Sequence, residues 1–334
     1  MKRFFVLIIA ALLCLSGCNS AVRGNTGQEI IIASMGFDFK DGEYSVIYET
    51  ITVNSEDSSE PKKTELLEGI GTTFSAAVED INRSAVRPFL FSHAAVAVLG
   101  NGINQKQFRE IRRFLYAKDE INISLKFVNT TLAKKLLSCE RKASVAVGYD
   151  LSDSLDEQEK LTGIKYKSKL YDIEASERKN VNVLALPCFT VENKGYSLKG
   201  VTVYKEYAPI LKLSKNEAEV YSLLTSSRKK GNFFYDNKIR NLLKARTDYS
   251  FSYGESLEID ARIRLKFDET TNLSRSIAET AGSLFEASQS LRADIFGFGN
   301  NLASLNPDLW ERLKHSYYNE YSKSKIEVTV IEEN

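Results

Sequence analysis

Leu257-Glu258-Ile259-Asp260-Ala261-Arg262-Ile263-Arg264-Leu265-Lys266-Phe267 alternates apolar and polar residues from end to end. Successive side chains of a strand point to opposite faces, so the segment predicts a strand with one buried face and one wet face. Such a strand belongs in an antiparallel or mixed sheet with helices packed on one side. The helix follows at once: Leu273, Ile277, Ala281, Leu284, Phe285, Ser288 and Leu291 recur at threes and fours along one face. It stops at the glycine-bearing turn Gly297-Phe298-Gly299. Asn306-Pro307 then opens a last helix, because proline suits the first helical position. Trp310, Leu313, Tyr317 and Tyr321 mark its apolar side, and Ile326 to Ile331 reads as a closing strand.

Working toward the N-terminus, Ser214 and Glu217 form a capping box for a helix that runs to Leu224. Tyr196 to Tyr204 and Ala208 to Leu213 read as an antiparallel pair, and Val181 to Leu186 as a strand that stops at Pro187. Residues 150–180 are polar and charge-dense, with helical patches at 155–161 and 168–176, and predict a domain junction at their end. Further upstream, Gln28 to Phe39 and Tyr44 to Val53 flank Asp41-Gly42 as a β-hairpin. Ser55 to Lys63 holds Pro61 and almost no apolar residue, which predicts a solvated loop. Gly69-Ile70-Gly71 leads into a helix capped by Thr72 or Thr73, with Phe74, Ala77, Val78 and Ile81 on one face. Phe89 to Leu99 predicts a buried strand, with His93 half-buried in its middle. A helix over Gln105 to Tyr116, a strand over Ile121 to Val128 and a short helix over Thr130 to Ser138 follow. The strands fall in hairpins with helices added between them. The expected fold is therefore α+β, in two or three domains with antiparallel or mixed sheets and packed helices, and without a doubly wound parallel sheet. The expected division is a leader at 1–17, an N-terminal domain at 18–189 and a C-terminal domain at 190–334.

The leader carries a chemical address. Lys2 and Arg3 precede an apolar run, Phe4 to Cys14, that is too short to span a bilayer. Leu15-Ser16-Gly17-Cys18 completes a bacterial lipobox. The small residues Ser16 and Gly17 let an extended backbone enter a peptidase, and the Cys18 thiol receives a diacylglyceryl group before becoming the first mature residue. The whole chain holds 45 basic and 44 acidic residues, a formal net charge of +1. Without Lys2 and Arg3 the acids lead by one, a balance that does not mark a nucleic-acid binder. No second apolar run reaches membrane-spanning length, so the folded body is expected outside the cytoplasmic membrane, held by lipid. Cys139 and Cys188 either pair, closing a loop of about fifty residues worth about 3 to 4 kcal/mol, or stand as separate buried thiols. A chain long enough to build its own core favours the second.

Chemistry is sparse. The two histidines, His93 and His315, have no ligand partner at metal spacing, so neither a metal site nor a catalytic residue is expected. Gly69-Ile70-Gly71 lacks the third glycine and the lysine of a phosphate loop. Asp294, Phe296, Gly297, Phe298 and Gly299 form a compact apolar turn with one carboxylate. It is either a structural helix end whose glycines permit positive φ or a partner-docking surface.

These pieces together resemble a known family. The lipobox, ASMGFDF at 33–39, GTTFSAAVEDI at 71–81, FLFSHAAVAVLGNGI at 89–103, LPCF at 186–189, LKGVTVYKEYAPILKL at 198–213 and DIFGFGNNL at 294–302 are similar, in that order, to the Ger(x)C lipoproteins. So are NPDLWERLK at 306–314 and IEVTVI at 326–331. Members often carry Trp and Asp after the lipidated cysteine, where this chain has Asn19 and Ser20. They also often carry an arginine shortly after an acidic pair, where Asn122 follows Asp119 and Glu120. The resemblance implies the non-catalytic C subunit of a spore nutrient germinant receptor on the outer face of the spore inner membrane. It implies a covalent diacylglyceryl and acyl (palmitate) lipid at Cys18 and no other cofactor. The implied partners are A- and B-type membrane subunits, with which it would trigger germination. The alternative readings are a solute-binding lipoprotein of an ABC importer and a surface enzyme such as a cell-wall hydrolase.

Overall fold

The computed structural model describes residues 29–52 and 63–333. Strands β1 (Ile30–Lys40) and β2 (Glu43–Thr52) form the expected antiparallel hairpin, with Asp41 and Gly42 at φ 53° and 85° in its turn. Of the expected loop at 55–63, only Lys63 lies within the described residues, and it opens a third strand. This strand, β3 (Lys63–Gly71), pairs antiparallel with β2. Gly69-Ile70-Gly71 is therefore strand and not loop. The glycines let helix α1 (Phe74–Ser84) lie directly on β3, since a Cβ at Gly71 would come within 2.5 Å of the Ala77 nitrogen. Thr73 caps α1 by accepting from the Ala76 amide at 3.1 Å, and Phe74, Ala77 and Ile81 are buried beneath it.

The expected strand at 89–99 is two strands, β4 (Phe89–Leu90) and β5 (Val96–Leu99). Between them the Ala94 amide donates to the Phe91 carbonyl at 3.0 Å, and the turn puts Ser92 and His93 in solvent. His93 is thus exposed, because a tight turn here lets its polar neighbourhood meet water. Helix α2 (Gln105–Tyr116) spans its expected range, and β6 (Lys126–Asn129) and α3 (Ala133–Leu137) are shorter than expected. The polar run 150–180 is mostly helical, in α4 (Val147–Thr162) and α5 (Leu170–Glu177). Strand β7 (Val183–Glu192) runs through Pro187, which pairs with Val201 of β8 (Gly195–Lys205). Its neighbour on the other side, β6, meets β7 at Asn129↔Cys188, so the ladder there is short and a missing amide is tolerated. Strand β9 (Ala208–Leu213) pairs antiparallel with β8, as expected.

These nine strands form one mixed sheet, in the order β3-β2-β1-β5-β6-β7-β8-β9 with β4 beside β1. Its central strands β1, β5, β6 and β7 run parallel, a doubly covered centre that the sequence reading did not expect. Helices α1, α2 and α5 bury Phe74, Phe108, Ile111 and Ile173 on one face. Helices α3 and α4 bury Leu136, Leu137, Leu151 and Leu155 on the other. Residue 189, the expected end of the N-terminal domain, lies inside β7, and the sheet continues to Leu213.

Two helices of this half lack caps of their own, since Leu132 and Ala146 at their N-cap positions offer no side-chain oxygen. Carboxylates from the first hairpin serve instead. Asp38 accepts from the Ala133 amide at 3.0 Å, and Glu49 accepts from the Val147 and Gly148 amides at 2.6 and 2.8 Å. Ser34 donates a further bond to Glu49 at 2.7 Å. Burial pushes both carboxyls above the usual carboxylate range, against the pull of these donors.

The second sheet holds β10 (Gly231–Tyr235), β11 (Lys238–Tyr253), β12 (Leu257–Phe267) and β13 (Lys325–Glu332) in that order, with β13 parallel to β12. The β12 alternation is as expected: Leu257, Ile259, Ala261, Ile263, Leu265 and Phe267 are buried, while Glu258, Asp260 and Arg262 are exposed. Helix α6 (Lys215–Leu224) begins at the expected capping box, with the Ser214 amide donating to Glu217 at 2.8 Å. Helix α7 (Ser274–Ser290) covers the apolar face of the sheet. The expected last helix is two, α9 (Pro307–Leu313) and α10 (Tyr317–Ser322), after an unanticipated α8 (Phe298–Leu305). The break over Lys314–Ser316 still leaves Trp310, Leu313, Tyr317 and Tyr321 buried together. Helices and strands in two mixed sheets make the fold α+β. Cys139 and Cys188 are free thiols, the first buried and the second half-buried. Among the described residues no helix is long and apolar enough to cross a membrane.

Candidate functional site: the Asp294 turn and the cleft between the halves

Leu15, Ser16, Gly17 and Cys18 lie outside the described residues. The turn at 294–299 lies within them, directly after α7, and it is buried except at Gly297. Asp294 is 0% exposed, and its carboxylate accepts from the Phe298 and Gly299 amides at 3.0 and 2.8 Å. It thereby supplies the first turn of α8, whose own N-cap, Gly297, has no side chain. The Tyr317 hydroxyl donates a third bond at 2.8 Å, tying α10 to the same carboxylate. Burial pushes the Asp294 carboxyl above the usual carboxylate range although all three donors lower it, and burial beside this acid raises the Tyr317 phenol well above its ordinary value. Phe296 and Phe298 pack against Phe285 of α7, with ring centroids 5.0 and 5.9 Å away. The Tyr221 hydroxyl of α6 donates to the Ile295 carbonyl at 2.9 Å.

The two glycines matter for different reasons. Gly297 sits at φ 73°, where a side chain is strained. Gly299 is helical, and a Cβ there would lie 2.7 Å from Val181 and 2.9 Å from Tyr317. That close approach lets Asn300 clamp the first half: its amide donates to the Val181 carbonyl at 3.1 Å and its oxygen accepts from the Val181 amide at 3.0 Å. Val181 lies two residues before the first residue of β7, so the turn fastens the second half close to the start of a strand in the first sheet. Asp294, Phe296, Gly297, Phe298 and Gly299 are thus brought together as a packed latch. Asn300 and Tyr317 complete it, and neither was singled out in the sequence. The signal for Tyr317 was its place on the apolar side of the last helix; Asn300 gave none, because its partner is far away in the chain.

Beside the latch lies a cleft of about 340 Å³. Residues 164–167, α5 and β7 line it from the first half, and α6 with residues 295–301 from the second. A buried ion pair stands nearby, Arg228 with Glu219 of α6, and Arg228 also donates to the Asn232 carbonyl at 3.2 Å. His93 and His315 are exposed, the first in the turn between β4 and β5 and the second between α9 and α10.

Residues 28–191 match the family model described as spore germination protein N-terminal domain, and residues 199–331 match the one described as spore germination B3/GerAC like, C-terminal. Among solved structures, the crystal structure of the GerBC protein is similar, at a TM-score of 0.53 and 10% identity, covering 90% of this chain and 97% of that one. At that identity the likeness is one of fold. Comparison with curated proteins gives no match. The first family model ends inside β7 and the second begins inside β8, so their boundary crosses a hairpin of the first sheet.

Proposed function

Because this chain belongs to the GerAC-like family of spore germination proteins, we propose that it is the lipid-anchored, non-catalytic C subunit of a nutrient germinant receptor. It assembles with A- and B-type membrane subunits on the outer face of the spore inner membrane. The observation that carries this reading is the pair of family models, which follow one another from residue 28 to residue 331. The lipobox at Leu15 to Cys18 supports the anchor. Two or three acyl chains make attachment effectively permanent, each buried methylene adding roughly 0.8 kcal/mol. Confinement to a surface then raises the effective concentration seen by membrane partners without any new contact. Of the two readings of the turn at 294–299, the structural one fits its burial, and partner contact falls to surfaces outside it. The importer reading fits less well. A solute-binding protein needs two lobes of alternating strand and helix, and the second half here is a four-stranded sheet with an exposed charged face on β12.

Spores lacking this chain, in a strain stripped of its other nutrient receptors, are expected to stop releasing dipicolinate when nutrients are added. Reintroducing the gene should restore release. Undiminished nutrient-triggered release without the chain would contradict the proposal.

A further inference from the structure

We propose that the cleft between the halves binds a small organic anion, a monocarboxylate on a short apolar or aromatic body. The cleft's volume of about 340 Å³ and its position between two packed halves suit a small ligand. Its floor is apolar, built by Val181, Val183 and Ala185 of the first half and by Ala218 and Phe296 of the second. The polar groups divide sharply. The hydroxyls of Tyr221, Ser222 and Thr225 already donate to the carbonyls of Ile295, Glu219 and Tyr221. Asn300 is taken by its clamp on Val181.

What is left over is mostly cationic, with the neutral Asn301 amide and the Tyr166 hydroxyl beside it. The side chains of Lys167, Lys179 and Asn301 form no hydrogen bond or salt bridge among the described residues, and all three line the cleft. Lys165 adds a third ammonium to the lining. The one carboxylate in the lining, Asp172, accepts from the Lys169 amide at 3.2 Å in its own helix cap and attracts Lys167 and Lys179 through space without a direct bond to either. Desolvation and the neighbouring Lys167 together hold the Lys179 ammonium below its ordinary pKa, although Asp172 pulls the other way. A carboxylate placed between the two lysines relieves their repulsion and gains charge-assisted hydrogen bonds, with Asn301 as a further donor. An apolar body behind the carboxylate leaves water for the floor. A cation is repelled by the lysines, and a neutral isostere gains the apolar lining without them.

The binding is a property of this chain alone and does not rest on the receptor reading. The test uses the full mature chain carrying Cys18→Ser, so that no detergent is needed, and three probes of one shape: 3-phenylpropionate, 3-phenylpropionamide and 3-phenylpropylamine. Ligand-observed NMR titration is expected to show saturable binding of the carboxylate, binding of the amide about tenfold weaker, and no binding of the amine. The double variant Lys167→Gln/Lys179→Gln, both positions being exposed, should keep its melting temperature and weaken the carboxylate about tenfold while leaving the amide unchanged. Equal binding of all three probes, saturable binding of none, or unaltered carboxylate affinity in the double variant would overturn the proposal.

Discussion

The Cys18→Ala protein is expected to leave the membrane fraction and to abolish the nutrient response of its receptor. In the proposed arrangement the acyl chains at Cys18 are the membrane attachment, and the described body contains no helix able to cross a bilayer. Removing two or three chains removes most of the attachment free energy, because each methylene supplies roughly 0.8 kcal/mol. Folding should be untouched, since both sheets and their helices begin after residue 29. The check is fractionation of spores whose partner subunits have been deleted, so that protein contacts do not hold the chain in place. There the parent should sediment with membranes and Cys18→Ala should not. Equal retention of the two in that strain would show that lipidation does not localise this protein; the nutrient response is read separately, in spores that keep the partner subunits.

The second large effect is on stability. Asp294→Ala leaves two backbone amides and the Tyr317 hydroxyl without an acceptor in a fully buried site. At about 1 to 3 kcal/mol for each orphaned donor, partly offset by relaxation and relief of a buried charge, the expected loss is about 4 kcal/mol. In a domain of this size that lowers the melting temperature of the second half by on the order of 10 °C. Asp294→Asn keeps the shape and one acceptor, so its loss should be smaller, and it serves if the alanine variant does not fold. A pH dependence accompanies these variants. Asp294 binds its proton more tightly folded than unfolded, so its contribution is full below about pH 4 and is lost as the pH rises through its folded pKa. The deficit of Asp294→Asn relative to the parent should therefore be largest in acid and narrow toward neutrality. A melting temperature equal to the parent's across that range would rule out the latch.

What the sequence disclosed depended on how each element is solvated. β12 was legible because one of its faces is wet, so the alternation of Leu257 to Phe267 is written into the chain. β5 and β6 are four-residue parallel strands buried on both faces, and Val96 to Leu99 shows no alternation to read. The parallel centre of the first sheet was missed for that reason. The hairpin of β10 and β11 passed unread although Asp236 and Asn237, both at positive φ in its turn, mark it. Local caps such as Thr73 and Ser214 could be read from spacing. Asp38 and Glu49 cap helices that begin roughly a hundred residues away, and no local pattern records such a pairing. The turn at 294–299 lay between these cases. Its residues stood out, but their burial follows from Val181, Tyr221 and Tyr317, which reach it from other elements.

The central claim is that this chain is one subunit of a membrane receptor. Affinity purification of the tagged full-length chain from detergent-solubilised spore inner membranes tests it most directly, with co-purifying proteins identified by mass spectrometry. The account predicts recovery of an A-type and a B-type membrane subunit; recovery of neither, or of an ABC permease in their place, would contradict it.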